Sequence, residues 1–252
     1  MKKVILLIFL LSPISIFSSS LKSMSADYDV SFGIFGDIGK AHCDLEVDSG
    51  TYKITIEVKS KGLVKFFSRD RVEVYESTGL VKSGVLIPQL FVKNRKWGSK
   101  EDRKKYFFDH KNKTVSILRT TIKDDKSDVK KEMLPYYAKD DILTLFFNLD
   151  SMNIDEESFK KGFVLSAIGA NKKDGHLDLK KPDFKNKKVM KKLLGVDNNL
   201  LLVTLNQKIF SSKNGEFMLD IDKNGVCDRF VLKDVLMYGD LSGEIKNLNI
   251  KE

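Results

Sequence analysis

The sequence predicts a mainly β protein with one short helix enclosed by its sheet. Apolar and polar residues alternate with a period of two along most of the chain. Turn-forming groups such as Asp48-Ser49-Gly50 and Lys223-Asn224-Gly225 separate the alternating runs. One segment, residues 140–150, switches to helical spacing and is too apolar to lie on a surface.

The chain opens with the three parts of a secretion signal. Met1-Lys2-Lys3 is basic, Val4 to Phe17 is apolar apart from Ser12, Pro13 and Ser15, and small residues follow at Ser18–Ser20 and Ser23–Ala26. The apolar run is 14 residues long, whereas a membrane-spanning helix needs about 20. Cleavage after Ser20 or Ala26 fits, and Ala26 is preferred. Residues 1–26 are then the signal and residues 27–252 a single exported domain that does not span a membrane. The first cysteine, Cys43, is far from the apolar run, so no lipid-acceptor cysteine sits at the cut. Losing Lys2, Lys3 and Lys22 lowers the formal net charge from +9 to +6. Such a protein is drawn toward anionic lipid heads, cell-wall polymers or acidic protein surfaces, and export argues against nucleic acid as a partner.

Tyr28, Val30 and Phe32 begin the first strand. Ala41, Cys43, Leu45 and Val47 share one face of the next, and Tyr52, Ile54, Ile56 and Val58 share one face of its partner across the Asp48–Gly50 turn. Cys43 therefore points into the core and His42 away from it. Residues 62–67 read as a bend. Strands follow over residues 71–76 and 79–87, with Val72 and Val74 on one face and Pro88 closing the second. Residues 94–100 read as a hairpin loop, and residues 106–109 and 114–122 as strands. In residues 140–150, Ile142, Leu145, Phe146 and Leu149 fall at i, i+3, i+4 and i+7, with Asp140 as expected N-cap. Strands return at 163–168, 200–205, 216–221, 226–232, 235–238 and 244–248, with a short helix at 186–194 closed by Gly195.

Catalytic signatures are scarce. The three histidines, His42, His110 and His176, lack ligand spacing, and no HExxH, CxxC or GxSxG motif occurs. In an oxidising compartment Cys43 and Cys227 are candidates for a disulfide. Closing so long a loop would contribute about 4–5 kcal/mol on the chain-entropy view; the alternative is two buried thiols. Asp220-Ile221-Asp222-Lys223-Asn224-Gly225 begins like a calcium loop, with Asp228 in the ninth position. Val231 replaces the bidentate Glu, however, and the flanks read as strands, so a hairpin turn is the stronger reading. No other cofactor is implied. Lys93, Arg95, Lys96, Trp97, Lys100 and Arg103 form a basic stretch with an aromatic anchor, suited to an anionic partner. Phe66, Phe67, Phe107, Phe146 and Phe147 are material for an apolar pocket or a core.

The series Tyr28-Asp-Val-Ser-Phe, Gly39, Tyr52-Lys-Ile-Thr-Ile, Leu86-Ile-Pro88, Asp141-Ile-Leu-Thr-Leu-Phe-Phe and Leu219-Asp-Ile-Asp-Lys-Asn-Gly resembles a family of exported Gram-negative proteins known as a domain of unknown function. The resemblance spans roughly residues 27–250. It implies a strongly curved antiparallel sheet, a β-spiral or half-barrel, wrapped around a short buried helix. That architecture is similar to periplasmic lipoprotein carriers and β-spiral envelope-integrity proteins. The resemblance supplies no catalytic residues, and it makes the Asp-Lys-Asn-Gly segment a hairpin. The expectation is a non-enzymatic periplasmic interaction or scaffold protein, serving the envelope or a machine such as the flagellar motor, with an envelope protein as partner. The alternatives are a carrier of lipid or another apolar ligand, and an enzyme with an unforeseen carboxylate pair.

Overall fold

A computed structural model describes residues 23–61, 70–152, 154–171, 173–196, 200–205, 215–221, 226–233, 235 and 239–251. The proposed signal core and the residues 62–67 bend, with Phe66 and Phe67, lie outside the described residues.

Among the described residues there are fifteen strands: β1 (Met24–Phe32), β2 (Asp37–Asp48), β3 (Thr51–Ser60), β4 (Val72–Lys82), β5 (Val85–Trp97), β6 (Lys100–Asp109), β7 (Thr114–Lys123), β8 (Lys126–Met133), β9 (Asp140–Asp141), β10 (Phe163–Ile168), β11 (His176–Lys180), β12 (Leu200–Thr204), β13 (Glu216–Ile221), β14 (Cys227–Leu232) and β15 (Leu241–Ile250). All join one curved sheet that does not close, in the order β8-β7-β6-β5-β4-β3-β2-β1-β15-β14-β13-β12-β11-β10-β9. Every neighbouring pair is antiparallel except β9 with β10. Two meanders, β1–β8 and β10–β15, are thus stitched together where β1 pairs with β15. The mainly β, curved-sheet expectation holds.

Among the described residues three α-helices interrupt the sheet: α1 (Ile142–Phe147), α2 (Glu156–Lys161) and α3 (Phe184–Leu194). All six residues of α1 are buried. Its N-cap is Asp141, not Asp140: the Asp141 side chain takes the capping hydrogen bonds, whereas the Asp140 carboxylate accepts from Asn148. The Asp141 carboxylate accepts from the Leu143 and Thr144 N–H groups at 2.8 and 3.0 Å, while the Thr144 hydroxyl accepts from the Asp141 N–H. This is a capping box with Thr at the third position. Asn148 ties the other end of the helix to β5, exchanging two hydrogen bonds with the Leu86 backbone.

The main core lies between the curled sheet and α1 and includes Tyr28, Phe91, Phe146, Phe217 and Phe230. A smaller cluster, Met190, Leu194, Leu200, Leu202, Met218 and Val231, forms where α3 covers the opposite face of β12–β14. Helix α3 ends at Gly195, whose φ of +76° is one that residues with a Cβ rarely adopt.

Two expectations need correction. First, Met24 and Ala26 are buried in β1 and pair with Leu45 and Cys43. The folded unit therefore begins before residue 27; a cut after Ala26 would remove the start of β1, whereas one after Ser20 leaves it whole. Second, Pro88 does not end its strand. β6 pairs with β5 only from Leu90 onward, so Pro88 sits where β5 has β4 as its one neighbour and no ladder bond is lost on the other side. A bulge beside Gly79 absorbs the misfit; a Cβ there would lie 2.0 Å from the Ile87 carbonyl oxygen. Val72 and Val74 do share one face of β4; it is the outer face, and the buried face carries Glu73, Tyr75 and Ser77. Strand β8 and helix α2 lack a clean apolar period, while β11 is a short alternating strand with Leu177 and Leu179 buried; none of the three was expected.

Candidate functional site

Sheet geometry builds the site. Directly opposite residues in an antiparallel ladder share a face, so register alone defines rows across the strands. One row runs Cys43, Ile56, Tyr75, Lys93, Lys104, Arg119, Lys130 over β2 to β8. Its first three members are buried in the core. Its last four are cations on four consecutive strands. The core-facing side of the sheet thus changes from apolar to cationic as it leaves the core, forming a charged wing. Like charges directly opposite one another are destabilising, so this row departs from what folding alone favours.

Local partners hold the row. Glu73, which is buried, accepts from Arg71 Nε and Nη2 at 2.9 and 2.6 Å and from the Tyr75 hydroxyl. The Lys93 ammonium lies 4.9 Å over the Tyr75 ring, and the Arg71 guanidinium 5.7 Å from the Trp97 ring centre. Burial pulls the Lys93 amine down to about 7, opposed by the negative charge of Glu73. Arg95 pairs with Asp102, and Arg119 donates to Glu132 at 2.9 Å. Among the described residues the Nε–H groups of Arg95 and Arg119 are nevertheless buried without a hydrogen-bond acceptor, which carries a desolvation cost.

The predicted basic patch is split by strand alternation. Lys93, Arg95 and Trp97 share the core-facing side with Lys100. Lys96 and Arg103 lie on the opposite side, both paired with Glu101, at 3.5 and 2.7 Å. Lys104 belongs to the same basic stretch of sequence, whereas Arg119 and Lys130 lie outside it, and only the register brings them beside Lys93.

A second polar cluster roots the wing. The Ser77 hydroxyl on β4 donates to Asp141 Oδ2 at 2.5 Å and shares a 2.8 Å hydrogen bond with the Tyr52 hydroxyl. Burial pushes the Asp141 carboxyl up to about 7 and raises Asp140 as well. Among the described residues Asp140 Oδ2 has no hydrogen-bond partner, and Lys139 Nζ lies 3.9 Å from it. His110 spans Tyr137 and the Pro88 carbonyl at 2.8 and 2.6 Å. On the outer face His42 is held between Asp27 and Asp44 at 2.6 and 2.9 Å. The hydrogen bond to Asp27 raises the His42 pKa.

The other candidate residues are dispersed. Phe146 and Phe147 fill the core, while Phe107 is exposed on the outer face of β6, so alternation prevents these from lining one pocket. Two surface clefts, of about 290 and 460 Å³, are lined mainly by polar and charged residues such as Asp29, His42, Lys59, Arg229 and Glu244. Asp220 and Asp228 lie on β13 and β14, which pair antiparallel as the hairpin reading requires. Asp222 and Asn224 lie outside the described residues. Among the described residues no group of three or more His, Cys, Asp or Glu is placed to hold a metal.

Cys43 and Cys227 are free thiols, both buried in the main core. They lie on β2 and β14, with β1 and β15 between them in the sheet order, and no disulfide joins them in this structure. Burial raises the Cys43 pKa well above the ordinary thiol range. Maleimide is therefore expected to label neither cysteine in the native protein and both after denaturation without reductant. Failure to label the denatured chain would establish the bond.

Fold and wing together define a class: a mainly β protein made of one open, curved antiparallel sheet around a buried helix. Within it, the chain belongs to DUF3108, a family of proteins of unknown function, whose model matches residues 27–168. The match covers more than half of the chain and ends with β10, so it includes the wing and α1. No curated protein and no solved structure matches the chain. Among the described residues no helix is long and apolar enough to cross a membrane.

Proposed function

We propose that this chain is exported to the periplasm and acts there as a non-enzymatic binding scaffold, holding an acidic protein partner of the cell envelope on the core-facing side of the β5–β8 wing. The observation that carries this reading is the row Lys93, Lys104, Arg119, Lys130. Four cations at neighbouring positions repel one another, and an anionic partner converts that repulsion into attraction.

Polyglutamate serves as a defined probe. Lys104→Glu with Arg119→Glu is expected to weaken its binding about tenfold or more at low salt, and wild-type binding should fall as ionic strength rises. Lys96→Glu with Arg103→Glu changes the same charge on the opposite face and should have a much smaller effect. Equal losses from both pairs would overturn the assignment of the face. Appearance of the chain in a spheroplast fraction rather than the periplasmic extract would overturn the assignment of the compartment.

A further inference from the structure

The sheet ends at β8, and among the described residues nothing pairs with its outer edge. All eight residues of β8 are exposed, including the apolar Val129 and Met133. Such an edge carries a row of unpaired backbone donors and acceptors and is a template for another strand. We propose that the strand it takes is β8 of a second copy of this chain, antiparallel, with the two-fold axis at Val129.

The charge pattern selects both the partner and the register. β8 reads Lys126-Ser127-Asp128-Val129-Lys130-Lys131-Glu132-Met133. With Val129 opposite itself, Asp128 faces Lys130 of the other copy, Lys126 faces Glu132, and Ser127 faces Lys131. The two-fold repeats each pair, so opposite charges meet on both sides of the axis and like charges never do. Moving the axis by one residue brings like charges together: centred on Asp128, Asp128 faces itself and Lys126 faces Lys130. Centred on Lys130, Lys130 faces itself and Asp128 faces Glu132. Opposite-charge cross-strand pairs stabilise and like pairs destabilise, so one register is preferred. At positions 126, 128, 130 and 132 the charge of β8 alternates in sign and is arranged to complement itself. The contact is isologous and closes as a dimer. It would join the two sheets and bring the core-facing wings of both copies onto one continuous surface.

The test is charge exchange, read by sedimentation of the full mature chain over a range of concentrations. Wild type is expected to show a monomer–dimer equilibrium. Asp128→Lys places lysine opposite Lys130 twice and should weaken dimerisation about tenfold or more. Lys130→Asp should do the same. The double variant Asp128→Lys with Lys130→Asp restores opposite charges and should recover the dimer, which separates lost pairing from lost folding. In the proposed register Val129→Cys should also cross-link to itself on mild oxidation, whereas Lys131→Cys should cross-link only to Ser127→Cys in a mixture. A wild-type chain that stays monomeric, or a dimer indifferent to both single variants, would overturn the proposal.

Discussion

Asp141→Ala is expected to destabilise the protein by about 2–4 kcal/mol, combining a lost N-cap with a stranded buried hydroxyl pair. The carboxylate accepts from two backbone N–H groups of α1 and from Ser77, which in turn is bonded to Tyr52. Alanine leaves all of these groups buried and short of a partner. Asp141→Asn should behave differently. Its oxygen can still accept from the helix, and its amide can donate to Ser77 if the hydroxyls of Ser77 and Tyr52 rotate. It also removes an ionisable group that burial pushes up to about 7. The sign of the pH effect follows from that direction. A carboxyl whose folded pKa is raised binds its proton more tightly in the folded state, so its contribution is most favourable below its ordinary pKa of 3.8 and declines as pH rises toward 7. Denaturant unfolding of wild type should therefore weaken between these limits relative to Asp141→Asn. Parallel pH profiles would show that Asp141 is already ionised across the range.

The fold was largely legible because one face of most strands is buried and period two records this directly. The β2–β3 hairpin, β7, β10 and α3 follow their apolar pattern closely. At β4 the pattern showed two faces but not which one is buried: the core-facing residues are Glu73, Tyr75 and Ser77. A strand whose inner face satisfies a polar network looks inverted to any rule that puts valine inside. β8 has no buried face at all, so its sequence carries no alternation to find. The basic stretch was visible, but its division between two faces was not. Charge density along the chain says nothing about which cations meet, and Lys93, Lys104, Arg119 and Lys130 become neighbours only through three hairpin registers. Cys43 was placed correctly in the core, yet its distance from Cys227 depends on β1 and β15 meeting, a pairing between the two ends of the chain that local sequence does not encode.

The same inversion at β4 leads to the second large effect. Glu73→Ala is expected to cost about 3–5 kcal/mol, because it breaks a buried ion pair and leaves cations without compensation. Arg71 would lose both of its hydrogen bonds to Glu73, and Tyr75 would lose the acceptor for its hydroxyl. Glu73→Gln keeps an oxygen for one of these donors and should be milder in stability while still altering the wing. Burial already draws Lys93 down to about 7, and the charge of Glu73 is the opposing influence. Removing that charge should draw Lys93 lower still, leaving it mostly neutral at pH 7 and taking one cation out of the row. Binding of polyglutamate by Glu73→Gln should then fall off at a lower pH than in wild type, while binding well below that pH stays comparable. A binding profile with an unshifted midpoint would show that Lys93 does not contribute its charge to the face. A shifted midpoint in a variant that remains folded would tie the buried glutamate to the electrostatics of the site as well as to stability.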